Sequence, residues 1–433
     1  MIRLGYILSG LLALFVLGTV ASALEFPPPE FETDYVRPTT EVPSPQQGVW
    51  EYIDVGVLLA TLSVATYLAL RKRCRTGIFL VMIFSLLYFG FFRKGCVCSI
   101  GAIQNVVLTA FDPAYAIPIA VLIFFALPLV FTLFFGRVFC AAVCPLGAIQ
   151  DAVLIHPVKV PRWLESGLRL LAYIYLGAAV LFAATGCMFI ICRYDPFVGF
   201  FRLGANWNLL VLGACLLLIG LFVGRPYCRF ICPYGVILRQ LSRLSKWRVT
   251  ITPTDCIQCR LCEEACPFGA IRKPTEQWPA KEYKIAKLRL AFLLVLLPVL
   301  IGAGGWVGYE LRGWLAKAHP QVRLAQRFSL EEDGQVEGTT DASDAFRATG
   351  RPSTELYAEA SLIQNRFALG SALFGAFVGL VIGGKLLALS VKRRRTDYEA
   401  DRASCLACGR CYSYCPKEHE RLKEKKEAVV AHG

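Results

Sequence analysis

The stretch CIQCRLCEEACP, residues 256–267, decides how the rest of the chain is organised. Two residues separate each of its first three cysteines, and the fourth cysteine follows after three more residues and directly precedes a proline. Three thiolates at this spacing on a tight loop can hold three irons of a cubane [4Fe–4S] cluster, while the fourth reaches a second cluster. A second copy of the pattern, CLACGRCYSYCP, occupies residues 405–416.

These two stretches, called here the first cluster run (256–267) and the second cluster run (405–416), are expected to bind two [4Fe–4S] clusters. Zinc sites favour two separated Cys-x-x-Cys pairs, and chance does not produce the longer pattern twice. Each run matches half of an eight-cysteine fold, so crossed ligation is expected, with Cys415 serving the first run and Cys266 the second. The expected cofactor ligands are Cys256, Cys259, Cys262, Cys266, Cys405, Cys408, Cys411 and Cys415.

The composition indicates a membrane protein. The chain has 433 residues, 56% of them hydrophobic, and a mean hydropathy of +0.52. Its formal net charge of +14 comes largely from Lys and Arg that flank apolar stretches, which the positive-inside rule explains without nucleic acid as a partner. Eighteen cysteines in so long and apolar a chain do not resemble a small disulfide scaffold. Because cluster binding needs reduced thiolates, both runs are expected on the cytoplasmic side of the membrane.

Six regions follow one another along the chain. Residues 1–23 carry Arg3, then an apolar core, then Ala21-Ser22-Ala23, which is typical of a signal peptide or an N-terminal anchor. The remaining regions are a periplasmic linker (24–51), a transmembrane core with repeated cysteine motifs (52–224), a cytoplasmic region with the first run (225–287), a transmembrane hairpin with a periplasmic loop at 310–366 (288–390), and a cytoplasmic region with the second run (391–433).

Seven apolar segments are candidates to cross a membrane, since a span needs ~20 residues. The loop at 310–366 has no cysteine and a Gly/Thr/Ser/Asp-rich centre at 333–345, so we expect a flexible docking surface there. With an outside start, the basic clusters fall on the cytoplasmic side. The candidate segments are 52–70, 77–92, 116–135, 168–191, 207–223, 288–308 and 367–390.

The membrane region contains a repeated cysteine motif. CSIGAIQ at 98–104, CPLGAIQ at 144–150 and CPYGVIL at 232–238 align residue by residue, and CRYDPFVG at 192–199 is a looser copy. A membrane crossing between successive copies predicts inverted repeats whose copies alternate between the two faces. Paired thiols of this kind are either iron–sulfur ligands, packing residues on one helix face or, outside, disulfides. The candidate metal ligands are Cys140, Cys144, Cys228 and Cys232 on the inner side and Cys96, Cys98, Cys187 and Cys192 on the outer side.

The motifs FCAAVCPLG (139–147) and YCRFICPYG (227–235), followed by a cluster run, resemble those of NosR/NapH-type membrane polyferredoxins. The resemblance implies electron transfer at the bacterial inner membrane between a quinol or cytoplasmic donor and a periplasmic redox system. It covers about residues 77–275 and the second run. This sequence departs from the pattern in its extra cysteine pairs at 96/98 and 187/192, in the helical hairpin before the second run, and in lacking a covalent-flavin acceptor motif.

The predicted fold is mainly α: a polytopic membrane helical bundle with inverted repeats plus a split cytoplasmic two-cluster ferredoxin-like domain. The expected function is an electron-transfer subunit of a membrane oxidoreductase complex, with two [4Fe–4S] clusters and additional iron–sulfur clusters in the membrane. A periplasmic flavin or multihaem protein is the candidate acceptor and quinol a candidate donor, with Asp195 either a proton acceptor or a turn cap. The alternative is an accessory or regulatory iron–sulfur protein that serves maturation or redox sensing of a partner metalloenzyme.

Overall fold

The structure is a computed structural model that describes residues 48–95, 98–202, 204, 206–251, 256–275, 280–391 and 395–431. The predicted signal segment 1–23, residues 24–47 of the linker and Cys96 lie outside the described residues. The described part is mainly α-helical, and the strands found in it are two residues long each. The expected mainly α fold is therefore confirmed.

The helices are, in chain order, α1 (Gly48–Tyr67), α2 (Arg75–Ser85), α3 (Ala102–Phe111), α4 (Ile119–Phe135), α5 (Pro145–Ala152), α6 (Arg162–Ala184), α7 (Ile190–Tyr194), α8 (Pro196–Arg202), α9 (Trp207–Gly220), α10 (Pro226–Phe230), α11 (Pro233–Leu241), α12 (Leu261–Glu264), α13 (Ala280–Glu310), α14 (Arg312–Ala316), α15 (Pro320–Glu332), α16 (Asp341–Ala348), α17 (Ser353–Ser390), α18 (Arg410–Ser413) and α19 (Pro416–Ala431). π-Helical turns cover Leu68–Lys72, Leu86–Phe92 and Phe139–Val143, and a 3₁₀ turn covers Ser242–Leu244.

Five of the described helices are long and apolar enough to cross a membrane, which confirms the polytopic bundle. The bent pair α8 and α9, which meet at 106°, makes a sixth span if the two count as one. The five spans are Gly48–Lys72, Arg75–Phe92, Trp163–Ala184, Ile285–Glu310 and Ser353–Ser390.

Two predicted segments differ from the helices found. The segment 116–135 forms α4, which has 17 residues and falls at the short limit for a span of ~17–25 residues. The segment 168–191 stops at Ala184, because Thr185 caps the helix and Gly186 turns away with a φ of +68°. Left-handed backbone of this kind is the common ending of a helix at glycine. As a result, Cys187 lies beyond the helix rather than on its last turn.

Helices α5 and α11 both begin with a proline that directly follows a cysteine. Cys144 has a φ of −72° and a ψ of 117°, the extended geometry that proline imposes on the residue before it. Proline suits the first helical position, since its missing N–H has no intrahelical partner there anyway. At the second copy, the Gly235 N–H donates to Cys232 Sγ at 3.3 Å. Each cysteine is therefore held at a helix N-terminus, where backbone N–H groups face the sulfur.

The two halves of the ferredoxin-like domain meet although α13 to α17 separate them in sequence. Strand β1 (Ile271–Arg272) pairs antiparallel with β2 (Glu399–Ala400), with Ile271 opposite Ala400. Arg272 and Asp401 form an ion pair of 3.2 Å across the joint. One buried core continues from the membrane helices into both halves, so the domain is packed against the end of the bundle.

Helices α13 and α17 form an antiparallel pair with very close backbones. Gly304 and Gly308 of α13 lie against Gly375 and Ser371 of α17, and a Cβ atom at either glycine would collide with backbone of the partner helix. Small residues are the usual means by which membrane helices approach this closely. The hairpin that interrupts the ferredoxin-like domain is thus a tightly packed unit.

The centre at 333–345, which was predicted to be flexible, forms turns and loop at 333–340, and helix α16 begins at Asp341. Thr340 and Ser343 form a reciprocal capping box, in which the Thr340 N–H donates to Ser343 Oγ at 2.9 Å. Arg347 of α16 then pairs with Glu331 of α15 at 2.8 Å. We call helices α14 to α16 the outer cap (312–348), which has a small buried core with the start of α17.

Candidate functional site

The first run shares its site with a cysteine of the second run. Cys256, Cys259 and Cys262 line one small cavity together with Cys415. Pro416 and Lys417 of the second run complete that side of the wall. We call these four cysteines the first set.

The reciprocal arrangement is found at the other run. Cys411 lies within electrostatic range of Cys405, Cys408 and the first run's Cys266, and Cys405 is likewise close to Cys266. We call Cys266, Cys405, Cys408 and Cys411 the second set. The structure therefore brings together four cysteines at each end of the domain, with the fourth cysteine of each run in the set of the other.

The surroundings of both sets fit an iron–sulfur cluster. Burial raises the pKa of the Cys262 thiol to about 11 and that of the Cys405 thiol to about 12, and neighbouring thiols act in the same direction. Such sets ionise together only if cationic iron compensates the charge, as metals do for coordinating thiols. Backbone N–H groups face the sulfurs as well, since Ala270 N donates to Cys266 Sγ and Ala407 N to Cys405 Sγ, each at 3.4 Å.

A single metal ion fits these cysteines less well than a cluster. Within the described ranges, no three Cys, His, Asp or Glu side chains converge on a point where one ion could sit. Ligands of a cubane stand farther apart, because each thiolate binds a different iron. The arrangement therefore favours a cluster over a zinc site.

The membrane cysteines form a third group of four. Cys144 lies within electrostatic range of Cys140 and Cys228, and Cys232 is close to all three. Cys140, Cys144 and Cys232 are buried and Cys228 is half-buried. We call these four residues the inner set. The structure thus brings together all four cysteines predicted for the inner side.

A layer of buried arginines lies between the inner set and the second set. Arg225, which has no exposed surface, donates to the carbonyl oxygens of Cys140 and Ala141. It also lies within electrostatic range of Cys408. Arg137 donates to Cys140 Sγ at 3.7 Å and to the Ala403 carbonyl at 3.4 Å.

Two further arginines complete this layer and share one buried carboxylate. Arg75 donates to the Cys408 carbonyl at 2.9 Å. Asp151 pairs with Arg75 at 3.3 Å and with Arg225 and Arg410 at 3.5 Å each. The four arginines of this layer outnumber the single carboxylate of Asp151, so net positive charge remains between two anionic cysteine sets. The arginine layer consists of Arg75, Arg137, Arg225 and Arg410.

Sequence reasoning missed the arginine layer, although a signal for it exists. Both inner-set motifs are preceded by Gly-Arg, in GRVFC (136–140) and GRPYC (224–228). Gln150 was also missed: it donates to Cys228 Sγ at 3.3 Å and accepts from the Tyr227 N–H at 3.0 Å. Extending the aligned motif upstream would have marked Arg137 and Arg225, whereas Gln150 is already the last residue of the aligned stretch CPLGAIQ.

Only part of the predicted outer group comes together in the described residues. Cys98 and Cys192 lie close to one another, since a Cβ atom at Gly101 would sit 3.1 Å from Cys192 Sγ and 3.9 Å from Cys98 Sγ. Cys187 is not with them: it packs beside the outer cap and lies near Arg323. The turn at Gly186 is the reason, because it directs the chain towards the cap. Cys96 is outside the described residues.

Asp195 has the turn-capping contacts that were one of its two expected roles. Its carboxylate accepts from the backbone N–H of Phe197 at 2.9 Å and of Val198 at 3.3 Å. Tyr227 donates its hydroxyl to the other oxygen at 2.9 Å. The side chain is 2% exposed.

These features define a membrane iron–sulfur protein, and comparisons with known proteins agree. Two models described as "4Fe-4S binding domain" match this chain, one at residues 117–162 and 205–252 and the other at residues 249–272. No solved structure matches the chain significantly.

Three curated relatives show similarity to parts of the chain. An uncharacterized protein of Methanocaldococcus jannaschii is 29% identical over 224 residues, which is 49% of this chain and 87% of the relative. The putative electron transport protein YccM of Escherichia coli is 30% identical over 118 residues, 25% of this chain and 33% of YccM. Protein NirI of Paracoccus denitrificans is 31% identical over 216 residues, 47% of this chain and 32% of NirI. The chain therefore spans about a third of the length of the latter two.

The chain is thus similar to membrane proteins of the polyferredoxin type, as the sequence motifs predicted. It is an iron–sulfur protein with helices long and apolar enough to span a membrane.

Proposed function

We propose that this protein relays electrons across a bacterial inner membrane, as the electron-transfer subunit of a membrane oxidoreductase complex. In this proposal both cluster runs face the cytoplasm, the donor is a cytoplasmic protein or quinol, and the acceptor is a periplasmic flavin or multihaem protein. The hydrocarbon core is ~30 Å thick, so a redox group inside the membrane is required.

The observation that carries the proposal is the position of Arg225. This buried side chain lies within electrostatic range of Cys408 on one side and of Cys140 and Cys228 on the other. The second set and the inner set are therefore neighbours with a single layer of arginine between them. Three four-cysteine sets in succession support a path that starts at the first set and enters the membrane.

In the proposal, each set holds one [4Fe–4S] cluster, which supplies one-electron redox chemistry when bound. The ligands of the two ferredoxin-like clusters are crossed between the runs. The inner set holds a third cluster beside the Cys-Pro turns that begin helices α5 and α11, where backbone N–H groups favour an anionic group. The arginine layer offsets the negative charge of the thiolates on both sides of it.

A comparison of iron content with electron transfer tests the proposal. Changing Cys144 and Cys232 to Ser should lower iron by about four atoms per chain and stop electron transfer from reduced cluster runs to an acceptor enclosed in sealed vesicles. Changing Cys215, a half-buried cysteine of α9 outside all sets, to Ser is the matched control. Unchanged iron in the double variant would overturn the membrane part of the path.

A further inference from the structure

A cavity of about 130 Å³ lies where the starts of α3 and α4 meet the turn between α7 and α8. Cys98, Cys192, Asp195 and Arg202 are among the residues that line it. A single water needs only ~10–15 Å³ measured in this way, and a cavity of ~150 Å³ admits benzene. The cavity therefore has room for a group of several heavy atoms.

The hydrogen bonds around this cavity repeat those around the inner set. Gln150 stands six residues after Cys144 and accepts from the N–H of Tyr227, the residue before Cys228, at 3.0 Å. Gln104 stands six residues after Cys98 and accepts from the N–H of Ile191 at 2.9 Å. Ile191 is the residue before Cys192. Judged by this glutamine hydrogen bond, Cys98 corresponds to Cys144, and Cys192 corresponds to Cys228.

The turns that carry the ligands also correspond. Cys98 Sγ accepts from the Gly101 N–H at 3.4 Å, and Cys144 likewise accepts a backbone hydrogen bond from Gly147, three residues on. Aligning CRYDP (192–196) with CRFICP (228–233), one residue longer, puts Asp195 where Cys232 stands. Both residues directly precede a proline that begins a helix.

Asp195 is a buried carboxylate without a cation of its own. Among the described residues no Lys or Arg forms an ion pair with it, although Phe197, Val198 and Tyr227 donate hydrogen bonds to it. Leaving a carboxylate charged and buried is costly unless a cation or metal compensates it. Cys98 and Cys192 both lie within electrostatic range of Asp195. Three potential ligands therefore line one cavity, and Arg202, which also lines it, lies within electrostatic range of Cys192.

We propose that Cys98, Cys192 and Asp195 form the outer site, a further iron–sulfur site in which an aspartate takes the place of one cysteine. The inference rests on the proposed relay, of which this site is the exit on the face opposite the cluster runs. Cys187, which lies beside the outer cap, is not part of it. The exposed position of Cys192 opens the site to an acceptor on that face.

The test compares variants of the full-length protein by iron and sulfide content and by EPR. Asp195→Asn keeps an oxygen that can cap the turn but removes the charged ligand, so it should lower iron by about four atoms per chain. Asp195→Cys restores the ligand type of the inner set, so it should retain iron and change the EPR signal of one cluster. Cys215→Ser, the matched control, should leave iron and all signals unchanged.

Three results would overturn the outer site: wild-type iron in both Asp195→Asn and Cys98→Ser, an unchanged EPR spectrum in Asp195→Cys, or a Cys98–Cys192 disulfide in iron-replete protein. Intact-protein mass spectrometry after alkylation would detect this disulfide as two fewer alkylated thiols. If Asp195→Asn loses iron but the Cys144/Cys232 double variant does not, the inner set fails while the outer site stands. The two proposals therefore fail separately.

Discussion

The two cluster runs have the same cysteine spacing but lie in different surroundings. In the first run, Cys259 is exposed, and Ile257 beside it is 58% exposed. In the second run, Cys408 and Cys411 are buried, and the Cys408 carbonyl accepts from Arg75 at the end of the membrane bundle. The first run is thus exposed at the protein surface, whereas the second run packs against the end of the membrane bundle.

The difference indicates that cysteine spacing determines which cofactor a run binds, whereas the packing around the run determines the role of its cluster in electron transfer. Exposure and nearby charge both tune the reduction potential of an iron–sulfur cluster. The exposed first set suits contact with a soluble donor, whereas the second set, beside four arginines, suits transfer into the membrane. The predictions below test this asymmetry, starting with the largest expected effect.

Crossed ligation predicts that each run depends on a cysteine of the other. Cys415→Ala should remove the cluster of the first run, and Cys266→Ala that of the second, each with a loss of about four irons per chain. EPR of the reduced protein, with the two signals resolved by potentiometric titration, measures which cluster is lost. If each substitution affects the cluster of its own run instead, ligation is not crossed.

Arg225→Met should destabilise the membrane side of the molecule. It leaves Asp151 buried with one cation fewer, and breaking a buried ion pair costs about 3–5 kcal/mol. Since Arg75 and Arg410 still reach Asp151, we expect the lower end, measured as thermal unfolding in detergent.

Arg323→Met is the control for Arg225→Met, because Arg323 is an exposed arginine of the outer cap. It should change the free energy of unfolding by less than about 0.5 kcal/mol. Equal effects of the two substitutions would contradict a special role for the arginine layer.

The exposed face of the first run predicts a docking effect without a cluster effect. Leu261 is exposed and close in sequence to Cys259. For Leu261→Asp we expect KM for a soluble electron donor to rise about tenfold, which is ~1.4 kcal/mol of binding. Iron content should stay constant. Leu330→Asp on the outer cap, also an exposed leucine, is the matched control, and a similar rise in KM there would refute the docking assignment.

The smallest effect on stability is expected at Asp401, where strands β1 and β2 join the two halves of the ferredoxin-like domain. Burial raises the pKa of Asp401, but the Ser404 hydrogen bond and the Arg272 charge outweigh it and hold this pKa below its usual value. The carboxylate therefore stabilises the fold above its ordinary pKa, and this contribution is lost as the pH falls through the lowered pKa.

Asp401→Asn should accordingly cost about 0.5–1 kcal/mol near neutral pH, since the pair is partly exposed. The difference from the native chain should shrink in acid, as followed by the unfolding midpoint in urea between pH 7 and pH 3. A difference that stays constant with pH would show that the Asp401 charge is not involved.

The amino-acid sequence by itself determined the class of protein. Cysteine spacing identified both cluster runs, and runs of apolar residues predicted five spans of the described bundle, because ligand spacing and span length are local properties. The outcome differed where a backbone turn ended a helix: Gly186 ended α6 before the predicted boundary at 191. Ligation by the membrane cysteines and the inverted repeat itself stay predictions.

Only the tertiary structure decided which cysteines are neighbours. Cys415 lies with the first run and Cys187 beside the outer cap, and these placements depend on how α13 and α17 fold back between the two halves. The arginine layer and the buried Asp195 are likewise products of packing. The Gly-Arg pairs mark Arg137 and Arg225 in the sequence, but only the fold shows that these side chains lie between two cysteine sets. Contacts between residues far apart in sequence bring the arginines and the cysteines together. Cysteine spacing alone identifies only the ligands that lie on the same loop.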